Sequence, residues 1–362
     1  MPRILFIASH RPQRAPGQRF RFEQYVPHLE RNGWQCELSH LVNEADDKVL
    51  YSPGNYLKKA RFVAKCNSIR RRDAARANDF DIIFIFREAL MTRSIANEQQ
   101  MRKSRAKLVF DFDDAIWLPN VSDANRRWNW MKDAGKTPKL IALCDLILAG
   151  NQYLADYSKP FNKNIVVMPT TIDTDEYRPA ERGGNGAITI GWSGSITTIQ
   201  HFKYALPALR ELKQRFGERI KFRVIGDGTF REPSLGIDGV PWRKDTEVAD
   251  LNAIDIGIMP LPDDEWARGK CGLKGLQYMA LGIPTLMSPV GVNGDIISDG
   301  VNGFLASSTS DWVEKIARLV DDADLRQRMG AAARSTVEER YSLRAWQDRY
   351  LHLMNELIHQ RS

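Results

Sequence analysis

Only four cysteines occur in the 362 residues, Cys36, Cys66, Cys144 and Cys271, and no two of them form a CxxC pair. That excludes a disulfide framework and a cysteine-based zinc site, and a reducing cytoplasm is the expected compartment. Long apolar runs are also missing: stretches such as Ile82 to Phe86 and Leu146 to Ala149 are far shorter than the ~20 residues of a membrane span. At the N-terminus the apolar Ile4 to Ala8 is broken by His10 and Arg11, so a secretory leader is not expected. Neither GxGxxG nor a complete Walker loop occurs, which weakens a dinucleotide oxidoreductase. No RNP, zinc-finger or helix-turn-helix signature supports nucleic-acid binding, and there is no internal repeat or low-complexity tail.

What is present is a globular composition, with 43% hydrophobic and 27% charged residues, in a chain long enough for two domains. The net charge of +7 is uneven. Residues 1–107 carry 21 Lys and Arg against 11 Asp and Glu, so an anionic partner is met by the first third of the chain. There, Lys58, Lys59, Arg61, Lys65, Arg70, Arg71, Arg72 and Arg76 interleave with Tyr56, Leu57, Phe62, Val63 and Ile69 as a basic amphipathic helix. Such a helix is either a solvated face or a docking surface for an anionic membrane.

Short apolar runs alternate with amphipathic ones along the whole chain. Strands are predicted at 4–8, 82–86, 108–112, 146–149, 165–168, 188–192, 222–225, 256–259 and 284–287, and helices at 20–32, 202–216, 272–281, 312–321 and 342–358. Nearly continuous apolar strands fed by helices mean α/β architecture with parallel sheets covered on both faces, Rossmann-like twice over. The polar, Gly-rich stretch after Arg178-Pro179 marks the boundary. The reading is an N-terminal domain over 1–178, a C-terminal domain over 179–341 and a closing helix over 342–362 that packs back on the first domain.

Ligands of parallel sheets bind beyond the carboxyl ends of strands. In the second domain those ends carry Gly191-Trp192-Ser193-Gly194-Ser195 and Gly226-Asp227-Gly228, where glycine admits a phosphate or a base close to the backbone. Further on, Lys270-Cys271-Gly272-Leu273-Lys274 leads into a helix that bears Gln277 and ends at Gly282-Pro284. Two cations beside a helix N-terminus complement a diphosphate. In the first domain a basic loop, His10 to Phe22, follows the first strand. Another strand ends in Asp111, Asp113 and Asp114, acids that could bind Mg²⁺, act as base, stabilise positive charge or cap a helix.

The order of these motifs resembles the retaining GT-B glycosyltransferases of the large family-four type, glycosyl transferases group 1. The resemblance runs from Gly17 to Trp34, through Val166–Asp173 with Tyr177 and Pro179, Gly191–Ser195 and Gly226–Gly228, to Gln277–Pro284. One hallmark differs. The family has two glutamates eight positions apart, and here Gly269 and Gln277 stand at those places. Gln277 is expected to meet the donor ribose with its amide as donor and acceptor. What the resemblance implies is GT-B architecture with two Rossmann-like domains facing a central cleft. The activity it implies is transfer of a sugar from a nucleoside-diphosphate sugar to a glycan or lipid-linked glycan, with retention of configuration, in cell-surface polysaccharide or glycoconjugate biosynthesis. The donor would be held by Gly194, Ser195, Gly226, Asp227, Trp242, Cys271, Gly272, Leu273 and Gln277. Lys270 and Lys274 would stabilise the leaving diphosphate, with Asp113 or Asp114 orienting the acceptor hydroxyl. Gly17, Arg14, Arg19 and Arg21 would bind the acceptor and its phosphate. No metal and no cofactor beyond the nucleotide sugar is expected. The expected location is the cytoplasm, with peripheral contact at the inner face of the membrane. An epimerase of the same architecture, which would release free nucleotide, and a non-catalytic nucleotide-sugar-binding subunit are the alternatives.

Overall fold

The computed structural model describes residues 1–50, 56–118, 133, 135–181, 186–195 and 197–359. The Gly-rich stretch 182–185, part of the expected boundary, lies outside them. The chain forms two compact units: Met1–Pro169 with Gln347–Ser362, and Thr170–Trp346. The division falls at Thr170, not at 179. Tyr177 explains why, because its fully buried hydroxyl donates to Glu247 of the second unit at 2.8 Å. From Gln347 the chain belongs to the first unit, where Tyr350 stacks on Tyr25 with ring centroids 4.3 Å apart. Such a pair is worth about 1 kcal/mol beyond its area.

In the first unit β1 (Arg3–His10), β2 (Gln35–Val42), β3 (Ile82–Phe86), β4 (Lys107–Phe112), β5 (Leu146–Ala149) and β6 (Ile165–Val167) form one parallel sheet in the order β2-β1-β3-β4-β5-β6. β3 and β5 are buried along their whole length, as their unbroken apolar runs predict. The edge strand β2 was not expected. It mixes polar and apolar residues because only part of it is covered, so a search for continuous apolar runs passes over it.

The second unit repeats the plan with β7 (Ile188–Ser193), β8 (Ile220–Gly226), a small hairpin of β9 (Arg231–Glu232) and β10 (Ile237–Asp238), then β11 (Val240–Pro241), β12 (Ile256–Met259), β13 (Thr285–Met287) and β14 (Phe304–Leu305). The parallel order is β11-β8-β7-β12-β13-β14. Its core joins Ile190, Trp192, Leu209, Leu212, Ile256 and Ile316. In each sheet the winding reverses once, between β1 and β3 and between β7 and β12. Those switch points are where open parallel sheets bind ligands.

Two expected helices are broken. Residues 20–32 divide among Pro16–Arg21, a 3₁₀ turn and Val26–Arg31, and 202–216 among Ile199–Phe202, a 3₁₀ turn and Leu206–Phe216. Proline stands in the first turn of three of these helices, at Pro16, Pro27 and Pro207, where the missing N–H costs nothing. The same ring is not tolerated further inside a helix. Among the described residues no helix is long and apolar enough to cross a membrane.

Candidate functional site

At the first switch point, Arg87 follows β3 with φ +61°, a left-handed conformation unusual for a side chain of this size. Its N–H donates to the carbonyl of Asp111 at 2.7 Å. Its guanidinium reaches Asp113 at 2.7 Å and Asp114 at 2.6 Å, so one cation gathers both acids beyond β4. Gly17 closes the group. A Cβ there would stand 3.1 Å from the Asp113 carboxylate and 3.0 Å from the Phe86 ring. The structure thus brings Gly17, Asp113 and Asp114 together, and adds Arg87. Sequence reasoning missed Arg87, although a cation placed directly after an apolar strand and beside an acidic one is a visible signal.

The basic loop is fixed by Gln18, also missed. Its side chain accepts from the His10 N–H and donates to the His10 carbonyl, both at 2.8 Å. Arg11 and Arg14 both reach Asp47, Arg14 at 3.1 Å. Burial foremost, with Arg14 and Arg11 nearby, pushes the His10 imidazole down to about 4. Two expected acceptor ligands turn out otherwise. Arg21 is buried, pairs with Asp111 at 2.7 and 3.0 Å and donates to the Met168 carbonyl, so its guanidinium offers no surface to an acceptor. Arg19 is buried too, with its guanidinium over the Phe20 ring. The reason is shared: Gln18 to Arg21, the last four residues of the short helix Pro16–Arg21, are all buried, so this end of the helix is enclosed on every side. Asp111 is therefore part of the framework. Burial pushes its carboxyl up to about 6 against the opposing pull of Arg21.

At the second switch point the two glycine loops touch. Gly194 donates its N–H to the Ile225 carbonyl at 2.9 Å, and a Cβ on Gly226, at φ +133°, would stand 1.8 Å from the Gly194 carbonyl. No residue but glycine fits there. Beyond it the Asp227 carboxylate turns back on its own chain, accepting from the Thr229 hydroxyl and N–H at 2.6 and 2.8 Å, bonds that hold it below the usual carboxylate range. Ser195 lies in a hydroxyl cluster with Thr197 and Thr198.

The helix Leu273–Ala280 starts beside these loops. Tyr278 crosses β12 over Gly257, where a Cβ would stand 2.5 Å from the ring, and its hydroxyl accepts from the Ser193 N–H at 2.6 Å and donates to the Ser193 hydroxyl at 2.9 Å. Burial pushes the phenol up, so it stays protonated. Lys274 Nζ lies 5.7 Å from the Trp192 ring centroid and Lys270 Nζ 5.5 Å from that of Trp266. Gly272, at φ +70°, precedes the helix, and Cys271 is buried with its thiol toward the Gly269 carbonyl. Gln277 is buried on the second turn, and Trp242 donates its indole N–H to Glu247 at 2.9 Å. These contacts bring Lys274 beside the Gly194 loop, while Lys270 precedes, and Gly272, Leu273 and Gln277 belong to, the same helix start beyond β12. The arrangement suits a diphosphate: backbone N–H groups at a helix start, hydroxyls, and two cations.

The basic helix Tyr56–Ala75 is only partly a surface. Lys59 and Arg70 are buried, and Arg70 binds Asp73 at 2.9 Å together with the Ala8 and Ala89 carbonyls. Lys65 meets Asp46 at 2.6 Å. Lys58, Arg61, Arg71 and Arg72 are exposed, as is Leu57 next to Lys58, at 82%.

Residues 187–322 match the model of the family described as Glycosyl transferases group 1, so the resemblance read from the sequence is borne out there. Over 211 residues the chain is 24% identical to a D-inositol 3-phosphate glycosyltransferase of Stackebrandtia nassauensis, a match that covers 50% of this chain and 46% of that protein. The chain thus spans about half the length of this curated relative. Among solved structures it is similar to a sucrose-phosphate synthase from Thermosynechococcus elongatus (12% identity, all of both chains, TM-score 0.73) and to an Anabaena protein solved with UDP and glucose (15% identity, 98% of this chain and 100% of that one, TM-score 0.68). At these identities the likeness is one of fold, and the fold is GT-B.

Proposed function

We propose that the protein is a glycosyltransferase that moves a sugar from a nucleoside-diphosphate sugar to a glycan or lipid-linked glycan, retaining the anomeric configuration and needing no metal. One observation carries the donor half: the helix that bears Lys274 is tied to the strand leading into the Gly194–Ser195 loop, by Tyr278 on Ser193 and by Lys274 over Trp192. A diphosphate in that loop gains the helix N-terminus and both lysines. Their charge grows in value as the leaving oxygen becomes anionic, which is how such a site lowers the barrier. In the first unit Arg87 holds Asp113 and Asp114 as acceptors for a sugar hydroxyl, and Arg14 and Arg11, two cations on the single carboxylate of Asp47, leave net positive charge for an acceptor phosphate. The exposed Lys58, Arg61, Arg71 and Arg72, with Leu57 next to the first of them, would bring the cytoplasmic enzyme to the inner face of an anionic membrane. Each such cation is worth about 1 kcal/mol there.

The experiment is a thermal-shift series with UDP, GDP, dTDP, CMP, ADP and NAD, each with and without EDTA, followed by turnover of the matching sugar nucleotide. A diphosphate at 100 times its Kd adds about 2.7 kcal/mol. A shift that survives EDTA and a product whose anomeric coupling matches the donor support the reading; a response to NAD alone sinks it. Lys270→Ala with Lys274→Ala should lower turnover about 10²–10³-fold with the fold intact. Vesicles containing phosphatidylglycerol should pellet the wild type. The charge-reversed variant at Lys58, Arg61, Arg71 and Arg72 should stay in solution, and equal pelleting would remove the membrane contact.

A further inference from the structure

The buried polar group around Gln277 contains a carboxylate that no part of the reading above uses. Glu247, at the first position of the helix Glu247–Asn252, is 5% exposed and accepts three hydrogen bonds: from the Tyr177 hydroxyl at 2.8 Å, the Trp242 indole N–H at 2.9 Å and the Gln277 amide at 3.2 Å. The Gln277 amide also donates to the Tyr177 oxygen at 3.1 Å. The orientation of the carboxamide follows from chemistry. A carboxylate only accepts, and the single Tyr177 proton is already given to Glu247, so only the NH₂ end of Gln277 can face this pair. Both amide protons are thereby spent. The carboxamide oxygen has no hydrogen-bond partner among the described residues. The expectation that Gln277 serves as donor and acceptor alike therefore changes: what it has left to offer is one acceptor oxygen.

We propose that Glu247 is a positioning residue that locks the Gln277 carboxamide with its oxygen toward the donor, so that an amide and a buried carboxylate together present what one glutamate side chain would. The polar pair is distributed differently, with the charge on Glu247 behind and a neutral acceptor in front, aimed at a ribose hydroxyl. This rests on the donor reading above and specifies its recognition of the sugar of the nucleotide.

The test compares three variants, Glu247→Gln, Gln277→Glu and the double swap, each titrated by calorimetry with the ribo- and the 2′-deoxyribonucleoside diphosphate of whichever base the wild type binds. Gln277→Glu puts two carboxylates against each other and should weaken nucleotide binding at least tenfold at pH 8, with recovery toward pH 5 as one of them takes a proton. In the double swap the two groups exchange places, the amide at position 247 donates to the carboxylate at position 277, and binding should return to within about threefold of wild type. Glu247→Gln frees the Gln277 amide to turn over, and the preference for the ribonucleotide should fall several-fold even in a well-folded protein. A double swap no better than the worse single variant, or a ribose preference unchanged in Glu247→Gln, overturns the proposal while leaving the donor reading in place. A wild type that binds no nucleoside diphosphate overturns both.

Discussion

The carboxyl edges of the two sheets solve the same problem with opposite means. At the first, charges are paired within the protein: Arg21 with Asp111, Arg87 with Asp113 and Asp114, Arg11 and Arg14 with Asp47. At the second, glycines and hydroxyls do the positioning, through the Gly194–Gly226 contact and the Tyr278–Ser193 bonds. Ion pairs between long side chains join segments whose backbones stay apart. Glycine contacts leave no slack, and with no side chain in the way they let a ligand approach the backbone closely. The difference teaches that the first edge is built to orient groups on the protein and the second to admit an anion.

The largest test of that contrast is Asp111→Asn. It strands Arg21 as a buried, uncompensated charge and should cost about 3–5 kcal/mol in urea unfolding, whereas Arg21→Leu with Asp111→Leu should cost much less. Equal losses would mean that the pair is not what holds this edge. Next comes Gly226→Ala, where the new Cβ meets the Gly194 carbonyl at 1.8 Å; overpacking and strain predict a loss of about 3 kcal/mol and of nucleotide binding with it. Gly33→Ala is its control, also at positive φ, +86°, but with nothing within 4 Å, and should cost about 1 kcal/mol. The smallest effect is electrostatic. His10 titrates at about 4 when folded against 6.5 in the unfolded chain, so its contribution is complete above pH 6.5 and is lost as pH falls toward 4. The difference in stability between wild type and His10→Gln, in which the Asp111 titration cancels, should therefore drift by about 3 kcal/mol across that window. A flat difference would place His10 in solvent.

Much of this was legible in advance, and the exceptions have causes. β3, β5 and β12 announce themselves because strands buried on both faces must be apolar throughout. β2 does not, since an edge strand carries a mixed pattern. Arg19 and Arg21 read as ligands because a basic loop at a strand end looks like an anion site. Only the tertiary enclosure of the end of a six-residue helix decides that their side chains go inward. The basic helix divides by angle around its axis: Lys58 and Arg61 stay outside while Lys59 and Arg70, on the other side, are buried.

By itself the sequence determined two parallel-sheet units, the glycine loops and the lysine-bearing helix, because period, glycine and local charge are written along the chain. Tertiary structure alone decided which charges meet. Arg87 with Asp113, Arg21 with Asp111 and Glu247 with Gln277 are separated by 26, 90 and 30 positions. No local pattern records such pairs, since their meeting depends on the crossover that returns each strand to the sheet.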